Sequence, residues 1–127
     1  MGQIAICEAS SLCSSTQGKL PLPTNQKEND DYLNAFRTML KELEELNEYV
    51  VLDANDFKTE GNFVSSTGKP IEWFNWREGE PNNQGGEHYV GMYVTYRVQH
   101  VSEIALSGKW NDIPDWFVLD IFCEFDL

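Results

Sequence analysis

The chain has 127 residues, 41% of them hydrophobic and 13% aromatic, and 21 acidic against 9 basic side chains give a formal net charge of −12. That length and apolar content suit one folded domain and exclude a disordered chain. The acidity excludes nucleic acid and anionic membranes as partners, because both repel such a surface. It makes cations the natural guests, the more so because the excess lies late in the chain. Eight acids and 4 bases precede Asp53, and 13 acids and 5 bases follow from there.

In chain order, Ile4 to Thr16 reads as a short helix, with Ile6, Ala9 and Cys13 on one face. Leu20-Pro21-Leu22-Pro23 is an extended connector, since each proline disfavours helix in the residue before it. Asn25 and Glu28 have capping-box spacing. Leu33, Phe36, Leu40, Leu43 and Leu46 then recur at steps of three and four, which predicts a helix with one core-facing stripe. Glu42, Glu44, Glu45 and Glu48 crowd its C-terminal end, against the helix dipole, as a solvated face.

Tyr49 to Leu52 reads as a buried strand. From Asp53 to Gln84 the chain is turn-rich yet carries Phe63, Ile71, Trp73, Phe74 and Trp76, so a packed functional loop is expected and not a linker. Tyr89 to Val101 alternates, with Val90, Met92, Val94, Tyr96 and Val98 on one face, as a strand does. Trp110 and the segment Phe117 to Phe125 supply further strands. The sum is an α+β domain. The most apolar stretch, Phe117 to Phe125, is interrupted by Asp120 and Glu124, so no membrane span is expected. The first residues do not read as a signal peptide, and Cys7, Cys13 and Cys123 leave the compartment open. No Asn-x-Ser/Thr glycosylation signal is present.

Two polar groupings carry the chemistry. One is Glu80-Pro81-Asn82 followed by Glu87; the other is Asn111-Asp112 after Trp110. Every polar member donates oxygen, which suits Ca²⁺ over Zn²⁺. A cis peptide at Glu80–Pro81 would turn the flanking side chains toward one point. His88 and His100 read as surface residues, and no His-Glu-x-x-His pattern exists. Glu80 and Asp112 could pair for acid–base work, but no nucleophile with its base is visible, so no enzyme is expected.

Glu80-Pro81-Asn82, Glu87, Trp110-Asn111-Asp112 and a terminal Cys123-Glu124-Phe125, in that order, resemble the C-type lectin domain. Glu8-Ala9 with Cys13, Asn25–Asn47 as the extent of the second helix, Tyr49-Val50-Val51-Leu52, Lys58-Thr59-Glu60-Gly61 and Trp73-Phe74-Asn75-Trp76 extend the resemblance over nearly the whole chain. The resemblance implies a single domain over residues 1–127, with two helices, two small antiparallel sheets and a long ligand-binding loop region. It implies that Glu80, Asn82, Glu87, Asn111 and Asp112 bind both Ca²⁺ and a carbohydrate. Glu-Pro-Asn implies mannose, N-acetylglucosamine, fucose or glucose in place of galactose. It further implies a secreted, extracellular chain with a Cys13–Cys123 disulfide, acting in innate immunity or cell adhesion, and a homo-oligomer to give avidity to a weak single site.

The sequence also departs from the family. Tyr89 and Asp115 stand where a second disulfide is usual. The Glu80 to Glu87 spacing is one residue short, Gly91 to Ser107 is long, and the first strand is expected to be missing. Asp56 and Glu60 match two ligands of an auxiliary calcium site that could share Glu87, but Asn83 and His88 stand where acids are usual. The long segment and the lost disulfide motivate an alternative, a calcium-independent protein-interaction domain on the same fold.

Overall fold

The computed structural model describes residues 3–5, 13, 18–42, 47–81, 87–95, 107–114, 118–120 and 123. Within them, the helix α1 (Gln26–Glu42) begins where the capping residues predict. Asn25 Oδ1 accepts the Glu28 N–H at 2.8 Å, and Glu28 Oε1 reaches back to the Thr24 N–H at 2.8 Å. These bonds satisfy donors that the first turn cannot. They also hold the Glu28 carboxyl below its usual range, the Thr24 hydroxyl contributing most and the Thr24 N–H next.

The helix was expected to run to Asn47, but a strand, β2 (Asn47–Asn55), already begins there. Asn47 and Glu48 pair with Thr95 and Val94 of the antiparallel strand β3 (Glu87–Thr95), so sheet hydrogen bonds claim residues that the apolar stripe had assigned to helix. β2 also takes Asp53 to Asn55 from the predicted loop, with an irregularity between Val51 and Asn55. β3 pairs on its other side with β4 (Trp110–Pro114), giving an antiparallel sheet in the order β2-β3-β4.

A second antiparallel sheet pairs β1 (Gln3–Ala5) with β5 (Val118–Asp120). This corrects two expectations. Ile4 and Ala5 are strand and not helix, and the first strand is present. Three residues are too few to show alternation, and their partners lie more than a hundred positions away, at Ile4↔Leu119. The predicted first helix otherwise falls outside the described residues, apart from Cys13, which is helical. Cys13 and Cys123 are bonded, with Cα atoms 5.4 Å apart across a sequence separation of 110.

The central sheet is covered on both faces. Val50, Leu52 and Ala54 of β2 and Val90, Met92 and Val94 of β3 pack with Phe36 and Leu40 of α1, Phe63 and Trp110. Val51 turns the other way, to Ile113, Leu20 and Cys13. Two-sided burial explains why β2 reads as a continuous apolar run while β3 alternates. On that second face Gly91 has a role, because a Cβ there would sit 2.9 Å from Ile113 Cδ1 and 3.3 Å from Tyr49.

The aromatic loop packs as expected. Trp73, Phe74 and Trp76 lie on the core, each edge-on to Trp110 at 5.6, 6.2 and 6.2 Å. Backbone bonds from Trp110 N–H to Asn75 O and from Arg77 N–H to Trp110 O, both 2.8 Å, lace the loop to β4.

Candidate functional site

Three carboxylates from three segments meet beside the start of β3. Glu80 ends the aromatic loop, held by a bond from its N–H to Arg77 O at 2.9 Å. Glu87 opens β3, and Asp112 lies in β4, buried at 1% exposure. One oxygen from each lies within 4.8 Å of the others. Oxygens sharing one calcium ion at about 2.3–2.6 Å are at most about 5 Å apart, so this spacing fits within a single coordination sphere. Three anionic groups this close, one fully buried, repel one another unless a cation or protons offset them.

The peptide Glu80–Pro81 is cis. Asn111 adjoins Asp112 in β4; its Nδ2 faces the Tyr49 hydroxyl at 3.4 Å, and its Oδ1 is buried without a hydrogen bond. A buried carbonyl oxygen without a donor is a natural ligand for a hard cation. The donor set therefore fits calcium. Asn82 lies outside the described residues, as do Asn83, Cys7, Asp115 and most of the long segment after Gly91.

The strand carrying Asn111 and Asp112 is positioned by a network that sequence reasoning missed. Asn29, in the first turns of α1, is 1% exposed. Its Oδ1 accepts the Trp110 indole N–H at 2.8 Å, and its Nδ2 donates to Gly108 O at 3.0 Å. Asn75 Nδ2 donates to the same carbonyl at 2.8 Å. Gly108 itself has φ +89°, and a Cβ would come within 3.1 Å of Leu33. Asn29 falls four residues before Leu33 on the apolar stripe, and that is the only sequence signal it gives.

A second cluster joins Asp56, Glu60 and His88, again with one ligating atom from each within 4.8 Å. The pairing Asn55↔Tyr89 continues in a bond from Asp56 N–H to His88 O at 3.0 Å, which brings the end of β2 beside the start of β3. Asp56 is buried at 4% exposure, and its Oδ2 accepts the Gly61 N–H at 2.9 Å. His88, expected on the surface, is instead partly buried, with Nδ1 3.0 Å from Asp56 Oδ1 and 3.5 Å from Glu60 Oε2. The exposed ring of Phe57 packs 5.1 Å from the imidazole. A hydrogen bond with the Asp56 carboxyl, followed by desolvation and the Asp56 charge, pushes the Glu60 carboxyl above its usual range, with His88 opposing.

Comparison with known proteins agrees with this architecture. Residues 3–125 match the family model described as the Lectin C-type domain. Pulmonary surfactant-associated protein D of the pig, Sus scrofa, is 32% identical over 118 residues, covering 93% of this chain; the chain spans only 27% of that protein. Among solved structures, the human scavenger receptor C-type lectin carbohydrate-recognition domain has a TM-score of 0.73 at 20% identity, covering 100% of this chain and 87% of that one. The C-type carbohydrate-recognition domain of cow CD23, solved in the presence of GlcNAc2Man3 oligosaccharide, has a TM-score of 0.68 at 25% identity, covering 93% and 76%.

Proposed function

Because the chain belongs to the C-type lectin domain family, we propose that it is a calcium-dependent carbohydrate-binding domain of mannose-type specificity, acting outside the cell in glycan recognition. The observation that carries this reading is the convergence of Glu80, Glu87 and Asp112 within the diameter of one calcium coordination sphere. Glu80, Asn82, Glu87, Asn111 and Asp112 would hold the ion.

When bound, calcium supplies a site that takes two adjacent sugar hydroxyls directly. The residues do the rest. Carboxylates at Glu80 and Glu87 accept hydrogen bonds from the hydroxyls, while the amide NH₂ groups of Asn82 and Asn111 donate to hydroxyl oxygens. An acceptor at 80 and a donor at 82 form an ordered pair, and that order supports mannose, N-acetylglucosamine, fucose and glucose over galactose. The buried Trp110 and the Asn29 network keep β4 from shifting as the ligand exchanges.

The Cys13–Cys123 bridge supports an oxidising, extracellular setting. One shallow monosaccharide site binds weakly, so biological avidity calls for several copies of the domain. The test is retention on immobilised mannose in millimolar calcium, a level set by the affinity of about 10⁻⁴–10⁻³ M usual for extracellular calcium modules. Elution by a chelator and by free mannose, but not by galactose, is the expected result. Absence of retention, or retention that ignores the chelator, rejects the reading in favour of protein interaction.

A further inference from the structure

Family resemblance assigns Asp56 and Glu60 to an auxiliary calcium site, but the third donor this chain brings there is a nitrogen. Calcium takes six to eight oxygens. An imidazole beside the two carboxylates stands where an oxygen ligand is expected and removes a negative charge. The donor set Asp56, Glu60 and His88 therefore does not fit calcium.

It fits a different class of ion. One imidazole and two carboxylates are ligands for zinc-like divalent metals, which bind such donors at about 2.0–2.2 Å and leave a position for water. Tetrahedral geometry at that radius separates neighbouring ligand atoms by about 3.3–3.6 Å. His88 Nδ1 lies 3.0 Å from Asp56 Oδ1 and 3.5 Å from Glu60 Oε2, so only tenths of an ångström separate the donors from that spacing.

The donors are also held in place. The Gly61 N–H takes Asp56 Oδ2, leaving Oδ1 for His88. The Asp56 backbone N–H bonds to the His88 carbonyl, and Phe57 packs on the imidazole. Glu60, with its side chain 53% exposed, leaves a solvent side through which an ion enters and keeps water.

We propose that Asp56, Glu60 and His88 form a divalent transition-metal site, for which zinc is the best-suited ion, at the position where calcium would be expected. Such an ion clasps the loop after β2 to the start of β3. Its binding does not depend on sugar recognition, so the mannose experiment and this one fail separately.

The test uses the full chain in about 5 mM calcium, enough to fill a site of ordinary extracellular affinity. Zinc is titrated calorimetrically, and cobalt is followed by its visible absorption. One zinc per chain is expected, undisplaced by the calcium and raising the melting temperature by ligand linkage. His88→Gln and Asp56→Asn should each weaken zinc binding by about 100-fold. His88→Asp should abolish zinc binding and add a second calcium equivalent, a gain that a misfolded variant could not give. A Cys7→Ser, His100→Gln double variant should bind zinc as the parent does. Failure to bind zinc below about 1 mM, displacement of zinc by calcium, or zinc binding that survives His88→Gln overturns the proposal.

Discussion

Glu87 and His88 are consecutive residues at the start of β3, yet they serve clusters of different chemistry. Glu87 joins Glu80 and Asp112, an all-oxygen set with a buried aspartate. His88 joins Asp56 and Glu60, also with a buried aspartate, but with a nitrogen as its third donor. Both sites gather three donors within 4.8 Å beside the start of β3. The difference teaches that the backbone brings three donors together in both places, while a single donor atom sets the chemistry each cluster offers.

The comparison breaks most sharply at Asp112. Asp112→Asn removes a buried charge from the first cluster alone. Calcium affinity should fall by about 10- to 100-fold and mannose retention should vanish, with zinc binding at the second cluster unchanged; paired calcium and zinc titrations check both. Loss of both ions would show the clusters to be one unit.

A smaller effect should separate scaffold from ligands. Asn29→Leu leaves the Trp110 indole N–H without its acceptor and withdraws one donor from Gly108 O. A loss of about 1–3 kcal/mol in urea unfolding is expected. Calcium affinity should drop further than zinc affinity, because Trp110 leads directly into Asn111 and Asp112 whereas Asp56, Glu60 and His88 lie on other segments.

Next comes the helix start, which touches neither cluster. Asn25→Ala removes the cap on α1 and should cost about 1 kcal/mol in the same assay while leaving both metal affinities at parental values. The smallest effect is a pH dependence. Folding lowers the Glu28 carboxyl below 4.5, so its contribution is present above that pH and lost as pH falls through the lower folded value. The melting temperatures of the parent and Glu28→Gln should differ slightly at pH 6 and converge as the pH falls well below 4.5. Because the group is exposed, the difference should also shrink in salt.

Much of this was legible before any coordinates. The stripe Leu33, Phe36, Leu40 gave α1 because apolar residues at helical spacing must share a face, and Phe36 and Leu40 are buried. Val90, Met92 and Val94 gave β3 by alternation. The oxygen donors Glu80, Glu87 and Asp112 were legible as residue types, and the structure brings these three together. Other features were hidden because their cause is not local. The helix end was misjudged because Leu43 and Leu46 continue the stripe, while the pairing of Asn47 with Thr95 ends it. The first strand was overlooked because three residues carry no period. Asn29 reads as an intruder on an apolar face until Trp110, 81 residues on, supplies its partner.

Local chemistry thus determined the donor types, the helix face and the strand alternation, since each depends on side chains a few positions apart. Only the tertiary structure decided which donors meet. Pairing β2 with β3 carries Asp56 to His88, 32 residues away, and pairing β3 with β4 brings Asp112 to the start of β3, where the aromatic loop delivers Glu80. Those encounters are products of sheet register and core packing, and no spacing along the chain encodes them.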